Sequence, residues 1–115
     1  MSAGAAYVPG RGDTVWVQLN PQARHEQAGR RPALVVSPAS YNGRVGLALL
    51  CPITSQAKGY PFEVSLPSGG KVSGVVLADQ IKSLDWRARH AELAGRATEA
   101  AVREVLQKLG TLLEP

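Results

Sequence analysis

Glycine and proline punctuate the first two thirds of this chain so closely that a helix of ordinary length has no room there. Glycine costs a helix backbone entropy, and proline removes a donor and clashes with the preceding turn. Between the breaks lie short, β-branched, often alternating runs. TVWVQL (14–19), ALVVSP (33–38), GLALLCPI (46–53), FEVSL (62–66), VSGVVLA (72–78) and DQIKSLD (79–85) each read as strand. The Asn-Gly pair in SYNGRV is a strong hairpin signal between the second and third of them. The pattern then changes. ATEAAVREVLQKLGTLLE places Ala101, Val102, Val105, Leu106, Leu109, Leu112 and Leu113 at the spacing of one helical face. Thr98 is positioned to cap that helix, and glutamates in its first turn suit the helix dipole. The expected fold is mainly β with a C-terminal helix, a strongly bent sheet or small barrel forming one domain over residues 1–115.

With 115 residues, 44% of them hydrophobic, the chain can build a real core. A core of this size gains from pairing with a second copy. The formal net charge of +4 favours a polyanionic partner, such as nucleic acid or an acidic protein segment. The single cysteine, Cys51, forms no internal disulfide and suits a reducing cytosol; its apolar surroundings, LALLCPIT, read as those of a buried structural thiol. No apolar run reaches the length of a membrane span, and MSAGAAYVPGRGD reads as a short lead-in rather than a signal peptide, so a cytoplasmic location is expected.

The chemistry concentrates in EQAGRRP, residues 26–32, at the end of an unusually long polar loop (20–32). Pro32 biases Arg31 toward extended backbone, so the guanidinium sits at the edge of a strand rather than on a loose tip. Five donors in a planar, permanently charged fork suit a phosphate. Glu26 lies within reach to orient that fork or to handle a proton, although a surface arginine paired with a nearby glutamate meets the same spacing and is the commoner arrangement. Thr54 and Ser55 open the polar loop after the third strand. Should that strand lie beside ALVVS, their hydroxyls emerge near Arg31; plain turn chemistry is the alternative. Lys58, Lys82, Arg87 and Arg89 add positive charge or line a solvated face. Trp16 and Trp86 fit either packing or base stacking. His25 and His90 are isolated, and no CxxC, HExxH or phosphate-cradling Gly-Lys-Ser/Thr motif occurs.

Four segments together resemble the MazF/PemK family, the toxin half of type II toxin–antitoxin pairs: GDTVWVQLNP (12–21), HEQAGRRPALVVSP (25–38), CPITSQAKGYPFEV (51–64) and VLADQIKSLDWRAR (76–89). The resemblance implies an SH3-like β-barrel with a C-terminal helix, assembled as a homodimer. It implies a sequence-selective endoribonuclease acting on single-stranded RNA, usually messenger RNA, without metal or other cofactor, through the RNA's own 2′-hydroxyl. It also implies an antitoxin with an acidic, disordered tail. The family's catalytic arginine falls on Arg31, its threonine on Thr54 and its loop glutamate on Glu26. Lys58, Lys82 and Arg89 match basic positions of the RNA and antitoxin groove. Arg30 stands where relatives vary and, with Trp16, joins the expected RNA-binding set. Two other readings are a non-catalytic RNA- or protein-binding barrel and a relative of the toxin of this fold that poisons gyrase; the GRRP and PIT residues argue against the latter.

Overall fold

The computed structural model describes residues 6–19, 29–67 and 70–114. Among the described residues, seven antiparallel strands form one curled sheet: β1 (Asp13–Gln18), β2 (Arg30–Val35), β3 (Leu47–Thr54), β4 (Glu63–Leu66), β5 (Gly74–Leu77), β6 (Lys82–Asp85) and β7 (Glu92–Arg96). A short helix, α1 (Ala39–Val45), joins β2 to β3, and a longer one, α2 (Glu99–Leu113), closes the described chain. The strand order is β4-β5-β3-β2-β1-β7, with β6 also pairing with β3. The mainly β architecture with a C-terminal helix is the one expected.

β3 organises the sheet. Its residues 47–50 pair with β6, residues 50–52 with β2, and Ile53 and Thr54 with β5. Alternation along the strands divides the buried side chains between the two faces. Leu34, Cys51, Ile53, Val64 and Val76 pack on one face with Ala101 and Val105 of α2. Val15, Val17, Ala33, Val35, Leu50, Leu84 and Trp86 form a second cluster on the other. A period of two sends neighbours to opposite faces, so a strand buried on both sides reads as the continuous apolar run seen in LALLCPI.

α2 begins as expected, with the Thr98 hydroxyl accepting the Ala101 N–H at 3.2 Å. Only Ala101, Val105 and Leu109 of the apolar stripe are buried, whereas Leu106, Leu112 and Leu113 stay exposed.

One local expectation is corrected, and one open alternative is decided. SYNGRV forms no two-residue hairpin: Asn42 and Gly43 lie inside α1. The Asn42 side chain is wholly buried, donates to the carbonyl oxygens of Pro9 (2.7 Å) and Ser37 (3.0 Å), and accepts from the Ser37 hydroxyl. A hairpin turn would hold this side chain at the surface. The tertiary bonds decide the conformation, and Gly46, not Gly43, ends the segment in left-handed backbone. Of its two readings, Trp86 takes packing rather than base stacking. It is 4% exposed, and its indole N–H donates to the Asn42 carbonyl at 2.9 Å. The sequence reading also missed β7.

Asn42→Ala leaves the Pro9 and Ser37 carbonyls and the Ser37 hydroxyl short of partners in the interior. We expect a loss of about 3 kcal/mol of stability. It should appear in urea unfolding as a lower midpoint with an unchanged m value.

Candidate active site

Arg31 and Thr54 come from adjacent strands. The β2–β3 ladder pairs Ala33 with Pro52, Leu34 with Cys51 and Val35 with Leu50. This ladder ends at Ala33 and Pro52, two residues short of Arg31 on one strand and of Thr54 on the other. Parity gives them a common face. Arg31 alternates with Ala33 and Val35, Thr54 with Pro52 and Leu50, and Val17 stands across from Arg31 on β1. Ala33, Val35, Leu50 and Val17 all belong to the second cluster. Lys82, paired with Leu50 on β6, shares this face. The fork, the hydroxyl and one ammonium therefore rim the same side of the sheet.

Backbone rigidity fixes the fork's base, because Arg31 lies within β2 rather than in the loop before it. Its side chain is exposed. Among the described residues its one hydrogen bond runs from Nη1 to the Arg30 carbonyl at 3.3 Å. Thr54 is half-buried at the end of β3, and its Oγ1 accepts the Gln56 N–H at 3.2 Å. That bond orients the hydroxyl and leaves its proton free to be donated. A cleft of about 190 Å³ opens beside Thr54, lined by Gln56, Lys58, Tyr60, Glu63 and Gln80. Lys58 is exposed at its rim.

The other expected residues are placed elsewhere. Glu26 lies outside the described residues. Trp16, 39% exposed, faces away from the Val15 and Val17 cluster, with Pro32 and Glu92 as its cross-strand neighbours. Arg30 alternates with Arg31 and shares the Trp16 face. Its Nη2 donates to Glu92 Oε1 at 2.6 Å. The two adjacent arginines thus point to opposite sides of the sheet, and sequence reasoning missed Glu92, the partner of one of them. Arg89 is engaged with backbone: its guanidinium donates to the carbonyls of Gln18 (3.1 Å) and Leu19 (3.3 Å), while its own carbonyl accepts the Gln18 N–H. It fastens the β6–β7 turn to the end of β1. The Arg87 guanidinium lies 4.8 Å from the centre of the Trp86 ring.

Cys51 is buried, and its Sγ lies 3.8 Å from the Ala78 carbonyl. Burial, assisted by the charge of Asp79, pushes its thiol up to about 12. The thiolate is the reactive form. Native protein should therefore resist iodoacetamide at pH 8 and take up one label per chain only when unfolded in urea, as read by intact mass.

Comparison with known proteins identifies the family and the fold. Residues 10–113 match the family described as the PemK-like, MazF-like toxin of type II toxin–antitoxin systems. The endoribonuclease toxin MazF of Escherichia coli (strain K12) is 48% identical over 107 residues, spanning 93% of this chain and 96% of that protein. Endoribonuclease PemK of Escherichia coli is 40% identical over 107 residues, 90% of this chain and 80% of that protein. A crystal structure of MazF from Deinococcus radiodurans superposes with a TM-score of 0.85 at 60% identity, covering 94% of this chain and 98% of that one. The MazE–MazF complex from the same organism contains a chain that matches at a TM-score of 0.84 and 55% identity, over 94% and 97%. The strand order, the C-terminal helix and the four matched segments lead to one conclusion: the chain belongs to the PemK-like, MazF-like toxins of type II toxin–antitoxin systems.

Proposed function

We propose that this chain is the endoribonuclease toxin of a toxin–antitoxin pair and cleaves single-stranded RNA at the Arg31–Thr54 edge. The observation that supports the site assignment is strand parity: Arg31 alternates with Ala33 and Thr54 with Pro52, and Ala33 and Pro52 pair across β2 and β3. The 2′-hydroxyl oxygen attacks the adjacent phosphorus, the bond to the 5′-oxygen of the next nucleotide breaks, and the products are a 2′,3′-cyclic phosphate and a 5′-hydroxyl. Negative charge grows on the non-bridging oxygens along this path. A preorganised guanidinium fork stabilises that charge more than it stabilises the substrate, which is what accelerates a step. The Thr54 hydroxyl donates to one of the same oxygens. Arginine holds its proton too tightly to serve as a base. The scheme therefore gives the 2′-proton to the Glu26 carboxylate and has water protonate the leaving 5′-oxygen.

Lys58, Lys82 and Arg31 supply the positive rim that guides the RNA backbone. The same rim suits the acidic, disordered tail of an antitoxin, whose charges would occupy the phosphate positions. An antitoxin partner fits the MazE–MazF complexes of the relatives. Assembly as a homodimer is supported by an apolar groove between α1 and α2, lined by Val36, Pro38, Tyr41, Leu49, Leu106 and Leu109.

The test is incubation of the purified chain with single-stranded RNA in excess EDTA, followed by end-group analysis. Cleavage leaving cyclic phosphate ends supports the reading. Retention of RNA with no cleavage of any sequence would replace it with a non-catalytic binding barrel.

A further inference from the structure

The loop after Thr54 is held open and in shape by one carboxylate. Glu63, at the start of β4, accepts the Lys58 N–H on both carboxylate oxygens, at 3.0 Å on Oε2 and 3.2 Å on Oε1, and the Gly59 N–H on Oε1 at 3.0 Å. Its own N–H donates to the Tyr60 carbonyl at 3.1 Å. Its carbonyl in turn accepts from the Lys108 ammonium of α2 at 2.9 Å, and Phe62 beside it accepts the Ala78 N–H at 3.0 Å. Charge-assisted bonds to backbone N–H groups are stronger than neutral ones. The loop is therefore tied at its centre to a strand that is itself tied to α2 and to the end of β5.

What this frame displays is an unpacked aromatic ring. Tyr60 is 60% exposed, although an aromatic side chain ordinarily gains by packing. It lines the cleft beside Thr54 together with the primary amides of Gln56 and Gln80. An exposed ring, two amides able to donate and accept, and a neighbouring lysine compose the usual chemistry for one splayed-out base of single-stranded RNA: stacking on the π-face, edge contacts from amides, and charge for the phosphate.

We infer that the Thr54 cleft is a nucleobase subsite, in which Tyr60 stacks a base adjoining the cleaved phosphodiester and Glu63 is the positioning residue that sets the ring's place. The inference rests on the ribonuclease reading above and gives a recognition role to Gln56, Tyr60 and Gln80, to which the resemblance assigned none. Stacking contributes to binding and is tolerant of base identity, so the selectivity of this subsite falls to Gln56 and Gln80.

The experiment begins with an RNA oligonucleotide whose cleavage position has been mapped with the wild-type chain. Single abasic nucleotides are then placed at each position flanking the cut. For the wild type, one flanking position should show an increase in KM on the order of tenfold when its base is removed, the scale of one base–aromatic contact. In Tyr60→Ala that penalty should vanish, because the intact substrate is already bound without the contact; Tyr60→Phe and Tyr60→Trp should retain it. Glu63→Ala should shrink the penalty at the same position, and Tyr60→Ala/Glu63→Ala should bind no worse than Tyr60→Ala alone, since the carboxylate acts through the ring. A carboxylate that merely stabilises the fold would lower the melting temperature and leave the abasic pattern untouched. If RNA is cut but Tyr60→Ala shows the wild-type penalty at every position, the subsite is wrong and the ribonuclease reading stands. If the wild type cuts no RNA, both fall.

Discussion

Replacing Arg31 with alanine should lower kcat for RNA cleavage by about a hundredfold or more and leave the melting temperature where it was. Removal of one preorganised donor aimed at developing oxyanion charge typically costs a factor of about 10²–10³. Arg31 meets the structural conditions for that size of effect. It sits inside β2, next to a proline, so little reorganisation is needed when the phosphate arrives. Its fork is exposed and, among the described residues, makes one 3.3 Å bond to the Arg30 carbonyl. The same exposure is why stability should not change: no buried group loses a partner. KM should move much less than kcat, because the interaction strengthens as charge develops. Arg31→Lys should fall between wild type and Arg31→Ala, keeping a charge but losing the bidentate fork. Arg30→Ala is the informative neighbour. Its side chain lies on the opposite face, paired with Glu92, and its loss should leave kcat within a few-fold of wild type. Equal losses at positions 30 and 31 would mean that the two faces do not divide the work as the register indicates.

Much of this arrangement was legible in the chain because it is encoded locally. Proline after Arg31 restricts that residue to extended backbone, and the structure indeed includes both arginines in β2. Alternation in TVWVQL and the unbroken apolar run of LALLCPI announced β1 and β3, the latter buried on both faces. What was hidden depends on contacts distant in sequence. β7 carries a glycine, two charged residues and no β-branched one. It is a strand because Asp13–Trp16 offers it an edge, not because ELAGR prefers extension. Asn42-Gly43 has strong hairpin propensity, yet bonds to Pro9 and Ser37 and the indole of Trp86 override it. The division of labour between Arg30 and Arg31 follows from strand parity, but Glu92 as the partner of Arg30 lies 62 residues away. Arg89 resembled a groove residue by motif, and its bonds to Gln18 and Leu19 appear only when the β6–β7 turn docks on β1.

Gly74→Ala is expected to be the most damaging single methyl in the described chain. A Cβ built there lies 2.2 Å from the Thr54 carbonyl oxygen, 2.9 Å from its carbon and 3.1 Å from the Ser55 Cα. All three are backbone atoms, so no side chain can swing aside. The glycine also holds φ at +117°, a region that L side chains rarely adopt. Relief requires β5 to step away from the end of β3, breaking the ladder at Thr54 and Val75. Backbone strain and overpacking each cost about 1–3 kcal/mol, and here they coincide, so a loss of about 4 kcal/mol is expected. For a domain of this size that lowers the melting temperature by roughly 15 °C. Gly110→Ala in α2 is the matched control. Its added Cβ meets nothing within 4 Å, and alanine in a helix interior should stabilise by about 0.5–1 kcal/mol. The Gly74 variant carries a second consequence, because the displaced backbone is that of Thr54 itself. Assayed well below its melting temperature, it should cleave RNA at least tenfold more slowly per folded molecule, a loss that stabilising salt will not repair. A variant that is destabilised but fully active when folded would show that the hydroxyl keeps its place without support from β5. One that melts like the wild type would show that β5 can step aside from Thr54 at no cost.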